Sequence, residues 1–485
     1  MNTLLTIYNA GEWIYSSIYF CIIILNIVFI IIIISENRNP VKTIAWISVL
    51  TLLPLAGFVF YLFFGRDQRS QRMISRKSKR KLERLVNNGA SLEKKDITNL
   101  SDYTLQLLSL GNKLTRAMVS VNNNINIFTS GKDKYSAFFN DIKNAKSFIH
   151  IQYYIIENDN LGKKLKEILI KKASEGVEIR VLYDDVGCWN LRKGNFFDDM
   201  IKAGIDAKPF FKVTFPQLAN KLNYRNHRKA AIIDGRIGYI GGMNIADRYV
   251  EGCKWGAWRD THLRIEGEAV RELQSIFLVD WNFTTNELLS EQNYFPKIEN
   301  IKGNSAIQLL TSGPLDEHKS IFLMFTKLIS NAKDRVYIQS PYFLPNSAAI
   351  NALKVAALSG VDVRIMIPEH SDSKFLQYAS NSYVSEMLRS NIKVYLYTKG
   401  FLHAKSLVVD NEITSIGSTN FDSRSFEQNF EINAFIYDKE FCSENAKIFM
   451  NDIKDCKRVN LKTWIRRSII SKLIESIARL FSPIL

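Results

Sequence analysis

Five residue types recur at matched spacing in two places along the chain: His227, Lys229, Asp234, Gly241 and Asn244, then His403, Lys405, Asp410, Gly417 and Asn420. The offsets from each histidine are 2, 7, 14 and 17 in both sets, and the contexts match as well, NHRKAAIIDGRIGYIGGMN and LHAKSLVVDNEITSIGSTN. A lone His-x-Lys is an ordinary surface pair, but the chain has only six histidines and two of them fall at equivalent places of this repeat. An imidazole can attack phosphorus or carry a proton, an ammonium supplies a fixed positive charge, and an amide donates to oxygen. Together they suit a phosphate group. One set cannot supply both nucleophile and acid to one phosphorus; two facing sets can.

The elements that must place these residues are short strands. His227 to Ile233 reads as a strand, Asp234-Gly235 as its turn, and Arg236 to Ile240 as the returning strand. Residues two apart on a strand share a face, so His and Lys project together. Asp234 has the opposite parity and lies at the turn, where it orders backbone or meets a basic partner and does not touch substrate. Gly241-Gly242 allows close backbone approach to a ligand. The second copy repeats this with Asp410-Asn411 and Gly417-Ser418, and the Ser418 hydroxyl could bond phosphate or the His403 side. Upstream, Phe148 to Ile156 is a buried strand, Leu161 to Ala173 a helix, and Val177 to Tyr183 another strand, an order that implies a parallel sheet covered by helices. Val336 to Leu344 and Ser359 to Ile365 parallel these strands, so the chain holds two related α/β units. Tyr183-Asp184-Asp185 is either an active-site loop or a plain acidic turn. The aromatic and basic stretch Phe210 to Arg225 leads into His227 as one wall of the site. His150 and His262 read as strand residues, and His318 and His370 as surface residues.

At 485 residues the chain has room for two or three domains, and its net charge of +16 suggests an anionic partner, nucleic acid or a membrane surface. Five scattered cysteines form no CxxC and read as reduced thiols. Tyr15 to Ile34 is apolar and long enough to span a bilayer, with Asn26 its one strongly polar residue. It lacks the basic start and small-residue cleavage site of a signal peptide. Val41 to Phe64 reads as a second span, which Pro54 can kink. From Arg66 to Arg84 there are nine Lys or Arg against two acids. This flank places the catalytic part in the cytoplasm and either rests on anionic lipid heads or is a solvated linker. From Trp464 to the end, Ile465, Ile469, Leu473, Ile477 and Leu480 share one face of a basic amphipathic helix, which either lies in a membrane interface or packs on the body.

The two motifs resemble the HxKxxxxD motifs of the phospholipase D superfamily. GGMNIAD at 241–247, NFDSRSF at 420–426, the segment from Asn39 to Arg66 and the Ser-Pro-Ile-Leu ending resemble bacterial cardiolipin synthases over nearly the whole chain. The resemblance implies two phospholipase D-like α/β units sharing one site behind a two-helix transmembrane hairpin. The expected division is a hairpin over 1–65, a basic connector over 66–120, units over 121–295 and 296–460, and a tail helix over 461–485. It implies a bacterial cell-membrane, multi-pass phosphatidyltransferase that joins two phosphatidylglycerol molecules into cardiolipin and glycerol. The route is a phosphohistidine, with no cofactor, no metal and no nucleic acid partner. Its catalytic set is His227, Lys229, Asp234, His403, Lys405 and Asp410, with Asn244, Asn420 and the two lysines on phosphate. His227 is the nucleophile and His403 the acid. Asp260, thirty-three residues past His227, takes the role of orienting a histidine, and Glu431, twenty-eight past His403, is its counterpart.

Overall fold

The computed structural model describes residues 2–35, 40–64, 73–87, 101–213, 224–298, 301 and 303–482. The chain forms two compact units, one of residues 1–68 with 212–223 and one of residues 69–211 with 224–485. The loop around Asn39, Gly65 to Arg72, most of the stretch before His227, and the last three residues lie outside the described part.

The first unit is helical. Asn2–Ser35 is one helix, of which Tyr15–Ser35 is long and apolar enough to cross a membrane. The expected second span is two helices, Pro40–Leu52 and Pro54–Phe64, that meet at the proline. Proline has no N–H to give and its ring crowds the preceding turn, so the ladder breaks there. Asn26 bonds at the break: its Nδ2 donates to the Pro54 carbonyl at 3.1 Å. The one strongly polar residue between Tyr15 and Ile34 thus bonds beside the kink of the neighbouring segment. Ile33, Leu50 and Tyr61 close the contact, with Phe29 edge-on to both Phe58 and Tyr61.

The second unit contains two sheets of the same topology. In the first, Phe148–Tyr153, Glu178–Asp184 and Asp206–Phe210 run parallel. The antiparallel strands Ala230–Ile233, Ile237–Gly241, His262–Gly267 and Asn123–Phe128 extend it on the other side of Phe148–Tyr153. In the second, Arg335–Gln339, Asp362–Pro368 and Lys393–Tyr397 are the parallel strands. Ser406–Val409, Ile413–Gly417, Asn429–Ile436 and Ile307–Ser312 follow in the same order. The repeat seen around the histidines is therefore a repeat of whole sheets. Ile240, Leu263 and Ile265 of the first sheet share a core with Ile416, Ile432 and Ile436 of the second, and Ala269–Thr285 packs into it. Two helices also form within the stretch expected to be a basic connector. Leu82 and Val86 of Arg76–Asn87 join the shared core, and Leu107 and Leu108 of Asp102–Thr115 join the core of the second sheet.

The motif aspartates have a structural part, not a catalytic one. Asp234 and Asp410 both adopt left-handed backbone, φ 52° and 54°. The Asp234 carboxylate accepts the backbone N–H groups of Lys146, Ser147 and Phe148 at 2.7–3.0 Å. Asp410 does the same for Lys333, Asp334 and Arg335. Each carboxylate ties its hairpin turn to the start of the adjacent strand, which fixes the register that delivers His and Lys to the other end. Asp234→Ala should lower the thermal unfolding midpoint more than Asp234→Asn. It loses charge-assisted bonds worth about 1.5–3 kcal/mol and also strains the left-handed turn that Asn tolerates. Unfolding of the full chain in detergent checks this.

Candidate active site

His227 and Lys229 do not lie within a regular strand as expected. The strand begins at Ala230, and Arg225–Asn226 pairs instead with Asn429–Phe430 of the other half. The backbone has left its own sheet to bond across. His227 N donates to Phe430 O at 2.9 Å, and His403 N donates to Arg259 O at 2.7 Å. Gly400–Leu402 runs parallel to Ala257–Arg259 in the same manner. Each motif histidine is thus laced to the residue just before the other half's candidate carboxylate.

The carboxylates cross as well. The sequence left open which acid serves which histidine, and the structure gives each acid to the histidine of the other half. His227 Nδ1 lies 2.9 Å from Glu431 Oε1, and His403 Nδ1 lies 2.6 Å from Asp260 Oδ2. Both acids are fully buried. With Nδ1 given to a carboxylate, each ring keeps Nε2 for chemistry. Ser418 takes neither of its two expected roles: its hydroxyl donates to Glu431, the acid that holds His227 and not His403. Gly242 occupies the matching place beside Asp260, and a Cβ there would sit 2.1 Å from Asp260 Oδ1. Gly241 and Gly417 likewise admit neighbouring backbone, the Thr261 and Ile432 carbonyls, and not a ligand.

A second layer holds these groups. Asp184 accepts from Asn226 N at 2.9 Å and from Val186 and Gly187, so the acidic turn fixes the backbone next to His227. Arg228 binds Asp280 and donates to the Glu431 carbonyl; Arg259 binds Asp452 at 2.8 Å and donates to the Asp260 carbonyl. Gln152 and Gln339, at equivalent strand positions, meet the same two aspartates. Tyr154 packs edge-on against His227, and Tyr249 against His403. Apart from Asp184 in its acidic turn and the paired glutamines, these partners have no local signature in the sequence. Asn244 is partly committed: its Oδ1 accepts from Ile155 N and its Nδ2 donates to Tyr249 Oη at 2.8 Å, leaving one amide hydrogen. The Asn420 Oδ1 is buried and unpartnered among the described residues. His150 and His262 are buried strand residues, and His318 and His370 are exposed.

Burial dominates the electrostatics. It brings His227 down to about 4 from 6.5; Glu431 opposes this and Lys229 adds to it. Burial also brings His403 to about 4, with Lys405 adding and Asp260 opposing. Both rings are neutral in the resting site at neutral pH. Burial lowers Lys405 to about 8 and pushes Lys229 well below its usual range. Glu431 acts on Lys405, Asp260 acts on Lys229, and Lys405 acts on His227. The two sets therefore share one electrostatic site, and an entering anion would raise both imidazoles and both ammonium groups together.

Fold and site together define a duplicated phospholipase D-like body built for exchange at a phosphodiester. The family described as "Cardiolipin synthase, PLD-like domain" matches residues 138–281 and 325–453, and "Phospholipase_D-nuclease N-terminal" matches 24–66. The chain is 41% identical over 464 residues to a cardiolipin synthase of Geobacillus sp. (strain WCH70), covering 95% of this chain and 92% of that one. It is 40% identical over 482 residues to the major cardiolipin synthase ClsA of Bacillus subtilis (strain 168), covering 95% and 98%. Phosphatidylserine synthase of Haemophilus influenzae Rd KW20 shares the fold, with a TM-score of 0.61 at 14% identity over 80% of this chain and all of that one. The chain belongs to the PLD-like cardiolipin synthase family.

The Lys405 shift sets a pH limit. Its ammonium is charged below about 8 and lost above it. KM for an anionic phospholipid should rise as pH passes that value, and Lys405→Arg, whose guanidinium stays charged, should lack this alkaline rise. Initial rates against lipid concentration at each pH check it.

Proposed function

We infer that this enzyme joins two phosphatidylglycerol molecules by phosphatidyl transfer, giving cardiolipin and glycerol through a phosphohistidine. The observation that carries this reading is the crossed arrangement of carboxylates. Each histidine is fixed through Nδ1, so two Nε2 atoms remain for one phosphorus. In the forward half, neutral His227 Nε2 attacks the phosphorus of the donor. The P–N bond forms as the P–O bond to glycerol breaks, and protonated His403 gives its Nε2 proton to the departing oxygen. His403 is then neutral and accepts a proton from the free hydroxyl of a second phosphatidylglycerol. That oxygen attacks phosphorus, the P–N bond breaks, and cardiolipin leaves. One phosphodiester replaces another, so no nucleotide is consumed.

His403 must be protonated to act first as acid, although burial leaves it neutral in the empty site. The donor's own negative charge favours that proton, so substrate arrival supplies the charge state the step needs. Lys229 and Lys405 neutralise the phosphoryl oxygens, Asn420 and the remaining Asn244 hydrogen direct donors toward them, and Glu431 and Asp260 hold the two tautomers. The choice of His227 as nucleophile follows the superfamily resemblance. The apolar helix Tyr15–Ser35 associates the enzyme with the membrane. We place the kinked pair Pro40–Leu52 and Pro54–Phe64 across it too, with the basic flank and catalytic body on the cytoplasmic side.

Quenching turnover of phosphate-labelled phosphatidylglycerol in acid-avoiding conditions should place label on the peptide carrying His227 and yield cardiolipin with chelator present. Label on the His403 peptide would reverse the assignment. Phosphatidic acid as the main product would replace transfer by hydrolysis.

A further inference from the structure

The tail packs on the body, one of the two readings the sequence left open, and still leaves an apolar face uncovered. Leu461–Ile465 and Ile469–Leu480 are two short helices, and the second lies on Lys374–Arg389. Its inner side is specific. Glu475 and Ala478 are buried, Glu475 accepts Arg467 at 2.6 Å, and Arg479 pairs with Glu386 at 2.8 Å while its guanidinium covers the Tyr383 ring. Its outer side is apolar. Ile469, Ile470, Leu473, Ile474, Ile477, Leu480 and Phe481 fall within an arc of about 140° at 100° per residue, opposite the buried arc. Ile469 is 81% exposed and Leu480 is 77% exposed. Soluble surfaces rarely carry seven large apolar side chains together without an occupant.

We propose that this face is an interfacial anchor that sits in the surface of an anionic bilayer and seats the mouth of the catalytic site on it. Three features select a bilayer as occupant. Lys462 and Arg466 are exposed and Lys472 half-buried beside the apolar arc, the arrangement that binds acidic headgroups. The same chain carries the apolar helix Tyr15–Ser35, so a membrane is always at hand. The apolar face also continues toward the site. Phe481 packs on Phe375 at 5.6 Å, and Phe375 is itself half-exposed. Phe375 lies in the first turn of Lys374–Arg389, three residues after Asp372. Asp372 accepts from the Tyr342 hydroxyl at 2.8 Å and acts electrostatically on both His403 and Lys405. The helix that carries the anchor along its side thus begins two residues after Asp372. The anchor therefore adjoins, through Phe481 and Phe375, the segment that bears Asp372. This deepens the lipid-transfer reading and rests on it, but its test reads contact with lipid and not turnover.

The test uses the full chain in proteoliposomes of phosphatidylglycerol and phosphatidylcholine that include a phospholipid with a photoactivated diazirine in its acyl chain. After illumination and tryptic digestion, the peptide Leu473–Arg479 should carry label, as should the peptide containing Tyr15–Ser35, which serves as the internal control. Leu473→Glu with Ile477→Glu should reduce label on the tail peptide roughly ten-fold, because carboxylates are expelled from hydrocarbon, and leave the control unchanged. An unlabelled tail beside a labelled control overturns the proposal. So does a wild-type mass in detergent that is twice that of the double-glutamate variant, since the face would then belong to a second copy. Failure of catalysis with a labelled tail would count against the transfer reading alone.

Discussion

Glu431 reaches His227 and Asp260 reaches His403, so each imidazole is held through Nδ1 by a carboxylate from the other half of the chain. This exchange constrains everything around it. The histidines must leave their own strands to meet the partner, which is why His227 N and His403 N bond to Phe430 O and Arg259 O. The strands carrying the acids must come within one backbone's width of the motif turns, which is why Gly241, Gly242 and Gly417 lack side chains. Two buried arginine–aspartate pairs, Arg228 with Asp280 and Arg259 with Asp452, then lock the acid-bearing backbone. Removing one member of such a pair strands a charge in low dielectric at a cost of about 3–5 kcal/mol. Neither half can finish a site alone.

The same burial sets the chemistry. An exposed imidazole titrates close to neutral pH and would be partly charged in the empty enzyme. Here desolvation keeps both rings neutral, and the carboxylates limit how far that goes. A neutral ring is a nucleophile. On the proposed route the second ring becomes an acid when an anionic substrate supplies the compensating charge, which couples protonation to occupancy. Glu431 is held ionised against its own burial chiefly by His227 and Lys229. Placing the lysines two residues from the histidines lets one short segment deliver both charge and nucleophile.

What was legible in the sequence was what is local. The duplicated sheets follow from the repeated strands, and the turn position of Asp234 and Asp410 points to ordering backbone, although the family resemblance puts both in the catalytic set. Asn26 stood out as the polar residue of the long apolar helix, though its partner, the Pro54 carbonyl, follows only from packing. The crossed pairing was not legible. Glu431 is 204 residues from His227 and Asp260 is 143 from His403, too far for residue spacing to pair them. Tyr154, Tyr249 and Asp184 carry no spacing that marks them. The tail's hydrophobic period was readable, but one period describes both a face that packs and a face that does not. Only Glu475, Ala478 and Arg479 on the opposite side show which is which.

The exchange of carboxylates is most directly tested by the reactivity of each ring when one acid is replaced. A brief exposure to diethyl pyrocarbonate, followed by digestion and quantitation of the peptides carrying His227 and His403, reads the two imidazoles separately. Asp260→Asn should change the rate at His403 and leave His227 near its wild-type rate, and Glu431→Gln should do the reverse. If Asp260→Asn instead alters His227 while His403 is unmoved, each half orients its own histidine and the crossed site described above is wrong.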